Sequence, residues 1–81
     1  MNVGMLWFDN DKRTALTAKV ERAADYYRQK YGLVPDLCLV HPSMLAGPRT
    51  ELVEGRAGKV ALRSNRLIQP DHLWIGVEDK N

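Results

Sequence analysis

"KRTALTAKVERAADYYRQKYGLVP", residues 12–35, decides the fold, because it contains an amphipathic helix together with the signal that ends it. Its apolar residues recur at steps of three and four, and this spacing aligns them along one face of a helix. Gly32 is placed to cap the C-terminus of the helix, and Pro35 prevents its continuation. The pattern predicts a helix from about Lys12 to Tyr31. Its apolar face consists of Leu16, Val20, Ala23, Ala24, Tyr27 and Tyr31.

Two short apolar segments flank this helix and predict strands. Residues 3–8 (VGMLWF) are nearly all apolar and are followed abruptly by polar residues, which is typical of a strand buried on both faces. Residues 36–41 (DLCLVH) form a second compact apolar segment. A strand, a helix and a strand with short joints form a βαβ unit, in which the two strands are parallel.

The remainder of the chain predicts a loop and two further strands. Residues 42–55 contain several prolines and glycines, whereas residues 59–63 (KVALR) alternate and residues 73–77 (LWIGV) are apolar. The predicted fold class is α/β (α+β), with the order β-α-β-β-β in a single domain over residues 1–81. It has a small mixed sheet of about four strands and one long helix packed on one face. Either residues 43–55 or a second subunit is expected to cover the other face.

The composition is that of an ordinary globular protein, with 44% hydrophobic residues, 27% charged residues and a net charge of +2. A single cysteine excludes an internal disulfide, which suits a reducing compartment. The apolar segment 3–8 is too short for a signal peptide or a membrane span. These features predict a soluble cytoplasmic protein that does not contact a membrane.

Cys38 and His41 are close in sequence and raise the question of a nucleophile with its base. Successive side chains of a strand point to opposite faces of the sheet, so two residues three positions apart lie on opposite sides. A cysteine nucleophile needs its histidine within hydrogen-bond reach. The sequence therefore predicts that Cys38 is a small buried hydrophobe and that the pair is not catalytic.

Asp9, Asp11 and His41 form the candidate ligand-binding site. The aspartates follow the first predicted strand and the histidine ends the second, so all three are expected at the sheet edge where open α/β sheets bind ligands. The alternative is that the aspartates cap the helix and the histidine belongs to a turn. No paired Cys or His at short spacing accompanies His41 and His72, so neither a metal site nor a cofactor is predicted.

Basic residues outnumber acidic residues between positions 49 and 66. Five of them against two acidic residues give this segment a net charge of +3. Such a segment predicts salt-dependent contact with nucleic-acid phosphates. The alternative is a solvated strand face whose charges prevent pairing with other strands. The candidate nucleic-acid-binding residues are Arg49, Arg56, Lys59, Arg63 and Arg66.

No catalytic constellation stands out in the sequence, so an enzyme is the less favoured expectation. The leading hypothesis is a non-enzymatic protein-interaction module, self-associating through the open sheet face or an edge strand, with a protein partner or a homo-oligomer. A nucleic-acid-binding module using the basic segment is one alternative, and a small ligand- or metal-binding enzyme at the strand edge is another. Trp7 and Trp74 are expected in the core, unless one faces the uncovered side and becomes an interface anchor.

Overall fold

The computed structural model describes residues 3–45, 50–56 and 58–78 of the chain. The mixed α+β class, with one α-helix packed on one face of a sheet, is confirmed. Within these ranges no helix is long and apolar enough to span a lipid bilayer. In chain order the elements are β1 (Val3–Phe8), α1 (Leu16–Tyr31), β2 (Leu37–Val40), a short 3₁₀ helix (Pro42–Met44), β3 (Thr50–Gly55), β4 (Gly58–Ser64) and β5 (His72–Val77).

The five strands form one mixed sheet in the order β1-β5-β2-β4-β3. β2 and β4 are parallel, and the other neighbouring pairs are antiparallel. β1 and β2 therefore run in the same direction, as the βαβ pattern predicts, but β5 lies between them. This insertion brings together strands from the two ends of the chain, so no local pattern indicates it.

The sheet has five strands where the sequence predicts about four, because the additional strand, β3, lies in the segment predicted to be a loop. β3 (TELVEG) pairs with β4 as a hairpin whose closed end brings Gly55 opposite Gly58. Its two glutamates place a charge on each side of the strand and obscure the alternation that marks a strand in the sequence. Residues 50–55 consequently extend the sheet at its edge and do not cover its second face.

The helix begins at Leu16 and not near Lys12 as predicted. The carboxylate of Asp11 accepts a hydrogen bond from the Thr14 hydroxyl at 2.7 Å, and this contact holds the preceding segment in a turn. The C-terminal end agrees with the prediction, because Gly32 caps the helix in the left-handed conformation with a φ of 70°.

The apolar face of α1 packs on one side of the sheet and forms the core with it. Cys38 is completely buried there, as predicted, and burial raises the pKa of its thiol to about 12. Such a thiol is protonated at neutral pH and is not a nucleophile. The buried residues of the core are Val20, Ala23, Ala24, Tyr27, Cys38, Val40, Val53, Val60, Leu62, Leu73 and Ile75.

Candidate functional site

The face of the sheet opposite α1 carries large apolar side chains. Strand pairing places Leu6 opposite Trp74 and Trp74 opposite Leu39, so these side chains form one row across β1, β5 and β2. Leu6, Phe8 and Leu52 are 60%, 59% and 66% exposed, while Trp74 and Leu39 are half-buried. We call the surface formed by these five residues the open face.

The exposure of Leu6 and Phe8 shows that the prediction of a β1 strand buried on both faces is wrong. Only the other side of β1 contacts the helix layer, where the Trp7 ring packs against Tyr26 with centroids 5.2 Å apart. The segment VGMLWF is uniformly apolar, so no alternation marks its exposed side. Trp74 faces away from the helix, on the uncovered side of the sheet. The sequence predicts that a tryptophan in such a position is an interface anchor.

Charged residues on this side of the sheet are paired with one another. The ammonium group of Lys59 lies 3.5 Å from the Glu54 carboxylate, and the guanidinium group of Arg63 lies 3.4 Å from the Glu78 carboxylate. These side chains are exposed to water, so each pair adds little to stability. The part of the sheet near β1 is therefore apolar, and the part near β3 carries both signs of charge.

The predicted nucleic-acid-binding residues do not converge in the described structure. Lys59 and Arg63 lie on the same side of β4, each beside a carboxylate. Arg56 lies in the turn before β4 and Arg66 in the turn after it, so the length of the strand, about 20 Å, separates them. Arg49 lies outside the described residues. Nucleic-acid binding stays a prediction, which titration of labelled DNA and RNA at two salt concentrations tests.

Asp9, Asp11 and His41 lie at the same end of the sheet, beyond the C-terminal ends of β1 and β2, as predicted, but His41 is not a neighbour of the two aspartates. β5 separates the ends of β1 and β2, which are therefore about 10 Å apart. The Asp9 carboxylate accepts the N–H of Asp11 at 3.0 Å and lies 3.8 Å from the Lys19 ammonium group. His41 Nδ1 accepts the N–H of Ser43 at 3.1 Å. These are the contacts of turn and cap residues.

Both carboxylate oxygens of Asp11 are occupied by local hydrogen bonds. The Thr14 hydroxyl and the Arg13 N–H donate to them, and these bonds lower the pKa of the carboxyl group. In the part of the chain that the structure describes, no three His, Cys, Asp or Glu side chains are arranged to hold a metal ion. Ligand binding at this edge stays a prediction.

His72 is a residue of the open side that sequence analysis did not place there. Its ring lies against Phe8 with centroids 5.0 Å apart, and its Nδ1 lies 2.9 Å from the carbonyl of Pro70. Because a carbonyl oxygen only accepts hydrogen bonds, Nδ1 carries a proton and Nε2 faces away from this contact. The position of His72 follows from the pairing of β1 with β5, which the sequence does not indicate.

The described surface offers an apolar patch, paired charges and two strand edges with free backbone groups. Comparison of the chain with protein-family models, with curated proteins and with solved structures found no match.

Proposed function

We propose that the protein is a small non-enzymatic interaction module that self-associates either through its open face or through the edge of the sheet that borders this face. The observation that carries the proposal is the exposure of Leu6 and Phe8 beside Trp74, on a sheet whose other side holds the core. Apolar side chains of this size are normally buried, and contiguous exposed patches mark interaction sites. Water leaves such a patch when a second apolar surface covers it, and this release favours association.

A second copy of the chain matches this surface in size. Five strands about 4.8 Å apart, each of about six residues at about 3.3 Å per residue, give a face of roughly 24 by 20 Å. Two such faces bury about 1,000 Å² together, which is near the lower limit for a specific interface. Self-association is therefore expected to be reversible, with a dissociation constant in the micromolar range.

The charges on this side of the sheet also suit contact with an identical copy. Lys59 and Arg63 each lie beside a carboxylate, so two copies approach without strong repulsion between these groups. The apolar part of the face contributes the attraction, which salt screens little. The association is therefore expected to persist at high salt.

Light scattering across a concentration range of about 1 µM to about 1 mM tests this proposal. The mass is expected to rise from 9.2 kDa toward twice that value, at low and at high salt alike. A constant mass of one chain at every concentration would contradict self-association.

Two substitutions of exposed apolar residues distinguish association through a specific surface from nonspecific association. Phe8→Ser removes a ring of the open face and is expected to move dimer formation to higher concentration. Leu67→Ser is the control, because Leu67 is more exposed still but lies in the turn after β4 and is not one of the open-face residues. An equal effect of both substitutions would indicate nonspecific association.

A further inference from the structure

The two edge strands of the sheet differ in how they are protected from pairing with other chains. Among the described strands, β1 pairs only with β5 and β3 only with β4, so each has a row of free backbone groups. β3 carries Glu51 and Glu54, and charged side chains are a common protection of sheet edges. β1 (VGMLWF) contains neither a charged residue nor a proline. β1 is therefore the unprotected edge.

Alternate residues of β1 direct their backbone groups to this free edge. The Asp9 N–H donates to the Asp71 carbonyl at 2.9 Å, and these two residues continue the β1–β5 register by one pair. In an antiparallel ladder, pairs that exchange hydrogen bonds alternate with pairs that do not. The odd-numbered residues of β1 therefore bond to β5. The residues whose N–H and C=O groups point outward are Gly4, Leu6 and Phe8.

We infer that two copies of the chain pair along β1, antiparallel and about a two-fold axis at Leu6. This register sets Leu6 opposite Leu6 of the second copy and Gly4 opposite Phe8 of the second copy. Because of the two-fold symmetry the Gly4–Phe8 pair occurs twice, so there are three pairs with the Leu6 pair at the axis. Each pair exchanges two hydrogen bonds, which gives about six in all. The two sheets join into one continuous sheet with both helices on the same side. The inference rests on the proposed self-association and specifies its partner, strand and register.

The side chains next to the axis favour the same register. A shift of the pairing by one residue would place the open-face side chains of one copy beside the helix-side residues of the second copy. Pairing about Leu6 keeps the open faces of both copies on the same side of the joined sheet. On the open side, Leu6 then contacts Leu6 of the second copy and Phe8 lies beside Gly4 of the second copy, so both side chains lose water. On the helix side, Tyr26 is also exposed and packs on Trp7, so the edge is apolar on both sides.

Leu6→Lys and Leu52→Lys form a matched pair of variants for testing this arrangement. Both leucines are on the open face, both are mostly exposed, and they lie on opposite edge strands. Leu6→Lys sets two positive charges directly opposite each other at the axis, which opposes pairing. It is expected to raise the dissociation constant of the dimer at least about tenfold, with Leu52→Lys within about twofold of the unsubstituted protein. Circular dichroism and urea unfolding verify that both variants are folded.

Amide hydrogen exchange of the unsubstituted protein gives a second readout that is specific for β1. At concentrations that populate the dimer, the amides of Gly4, Leu6 and Phe8 are expected to exchange more slowly than in dilute samples. The amides of Met5 and Trp7, which bond to β5, are expected to be protected under both conditions. Leu6→Lys is expected to abolish only the concentration-dependent protection.

Each outcome decides between the arrangements. Selective weakening by Leu6→Lys together with protection of the even-numbered amides supports edge pairing. Equal weakening by both variants overturns edge pairing and indicates that the open faces stack on each other, with self-association retained. A dimer that neither variant affects overturns edge pairing and places the contact elsewhere. A monomer at every concentration overturns both this inference and the proposed function.

Discussion

The indole ring of Trp74 lies over Gly4 of the neighbouring strand and fills the space that a side chain at position 4 would need. Gly4 is paired directly with Gly76, so two glycines adjoin in this row of the sheet. The ring therefore lies close against the backbone, and Trp74 is half-buried although it is the largest residue of the open face. Leu6, directly opposite Trp74, is left as the more exposed side chain. The absence of a side chain at Gly4 thus affects which groups are exposed on the open face.

Gly4→Ala is expected to lower the free energy of unfolding by about 1–3 kcal/mol, because the added methyl group collides with the Trp74 ring. The ring has to move outward, away from the backbone. Urea unfolding measures the loss of stability. A red shift of the Trp74 fluorescence, recorded in a Trp7→Phe background, reports the greater exposure of the ring.

The control for this prediction is the same substitution in a protein that lacks the ring. In a Trp74→Leu background, Gly4→Ala is expected to lower the free energy of unfolding much less, because the ring atoms that the methyl group would contact are absent. The difference between the two costs measures the coupling of positions 4 and 74. If Gly4→Ala lowered the free energy of unfolding equally with and without the ring, the collision with Trp74 would not be the reason that position 4 requires glycine.

The elements of the fold are largely predictable because their signals lie within each element. Residues 3–8 match β1 in full, and the helix ends at Tyr31 with Gly32 as its cap, as the glycine and the following proline indicate. The position of β1 in the sheet is different, because it depends on pairing with β5 near the other end of the chain. VGMLWF is apolar throughout, so only this pairing determines that Leu6 is exposed and Trp7 is packed against the helix.

The candidate ligand site shows the same division between local and long-range information. The βαβ pattern correctly indicates that β1 and β2 run in the same direction. It also correctly indicates that Asp9 and His41 lie at the same end of the strands. It does not indicate which strand lies between them, and β5 in that position keeps the two residues apart. The contacts of Asp9 with Asp11 and Lys19 are those of a turn, and neither aspartate caps α1, whose N-cap is Ala15 without a side-chain cap hydrogen bond.

Lys19→Met is expected to lower the free energy of unfolding by about 1–3 kcal/mol. Lys19 is buried, and its ammonium group donates to the Asp9 carbonyl at 3.2 Å and lies 3.8 Å from the Asp9 carboxylate. Methionine retains most of the apolar stem but leaves the Asp9 carbonyl without this donor. The lysine thereby attaches the turn after β1 to the first part of α1, and urea unfolding measures the contribution.

Two further variants test whether the Lys19 contact or the loss of charge is responsible. Lys12→Met removes a positive charge from an exposed position in the same turn and is expected to change stability by less than about 0.5 kcal/mol. Asp9→Asn is expected to cost less than Lys19→Met, because the backbone carbonyl of residue 9 still accepts the lysine. A larger cost for Asp9→Asn would show that the carboxylate, and not the carbonyl, is the main partner of Lys19.

Alkaline pH is expected to destabilise the protein through Cys38. Burial raises the pKa of this thiol from its usual value of 9.0 to about 12. Above about pH 9 the unfolded chain loses the thiol proton while the folded protein retains it, so the free energy of unfolding falls as the pH rises. The stabilisation that comes from the protonated Cys38 thiol is fully present below about pH 9. It declines by roughly 1 kcal/mol per pH unit above pH 9 and is lost toward about pH 12.

Urea unfolding of the native protein and of Cys38→Ala, from about pH 8 to about pH 11, tests this linkage. Cys38→Ala is less stable at neutral pH because the smaller side chain leaves a void, so the slopes against pH are compared and not the absolute values. The variant is expected to have the shallower decline, since it lacks the titrating thiol. Burial also raises the pKa of Tyr27, which is present in both proteins and accounts for a residual slope. Equal slopes in both proteins would mean that the Cys38 thiol titrates in the folded state much as it does in the unfolded chain.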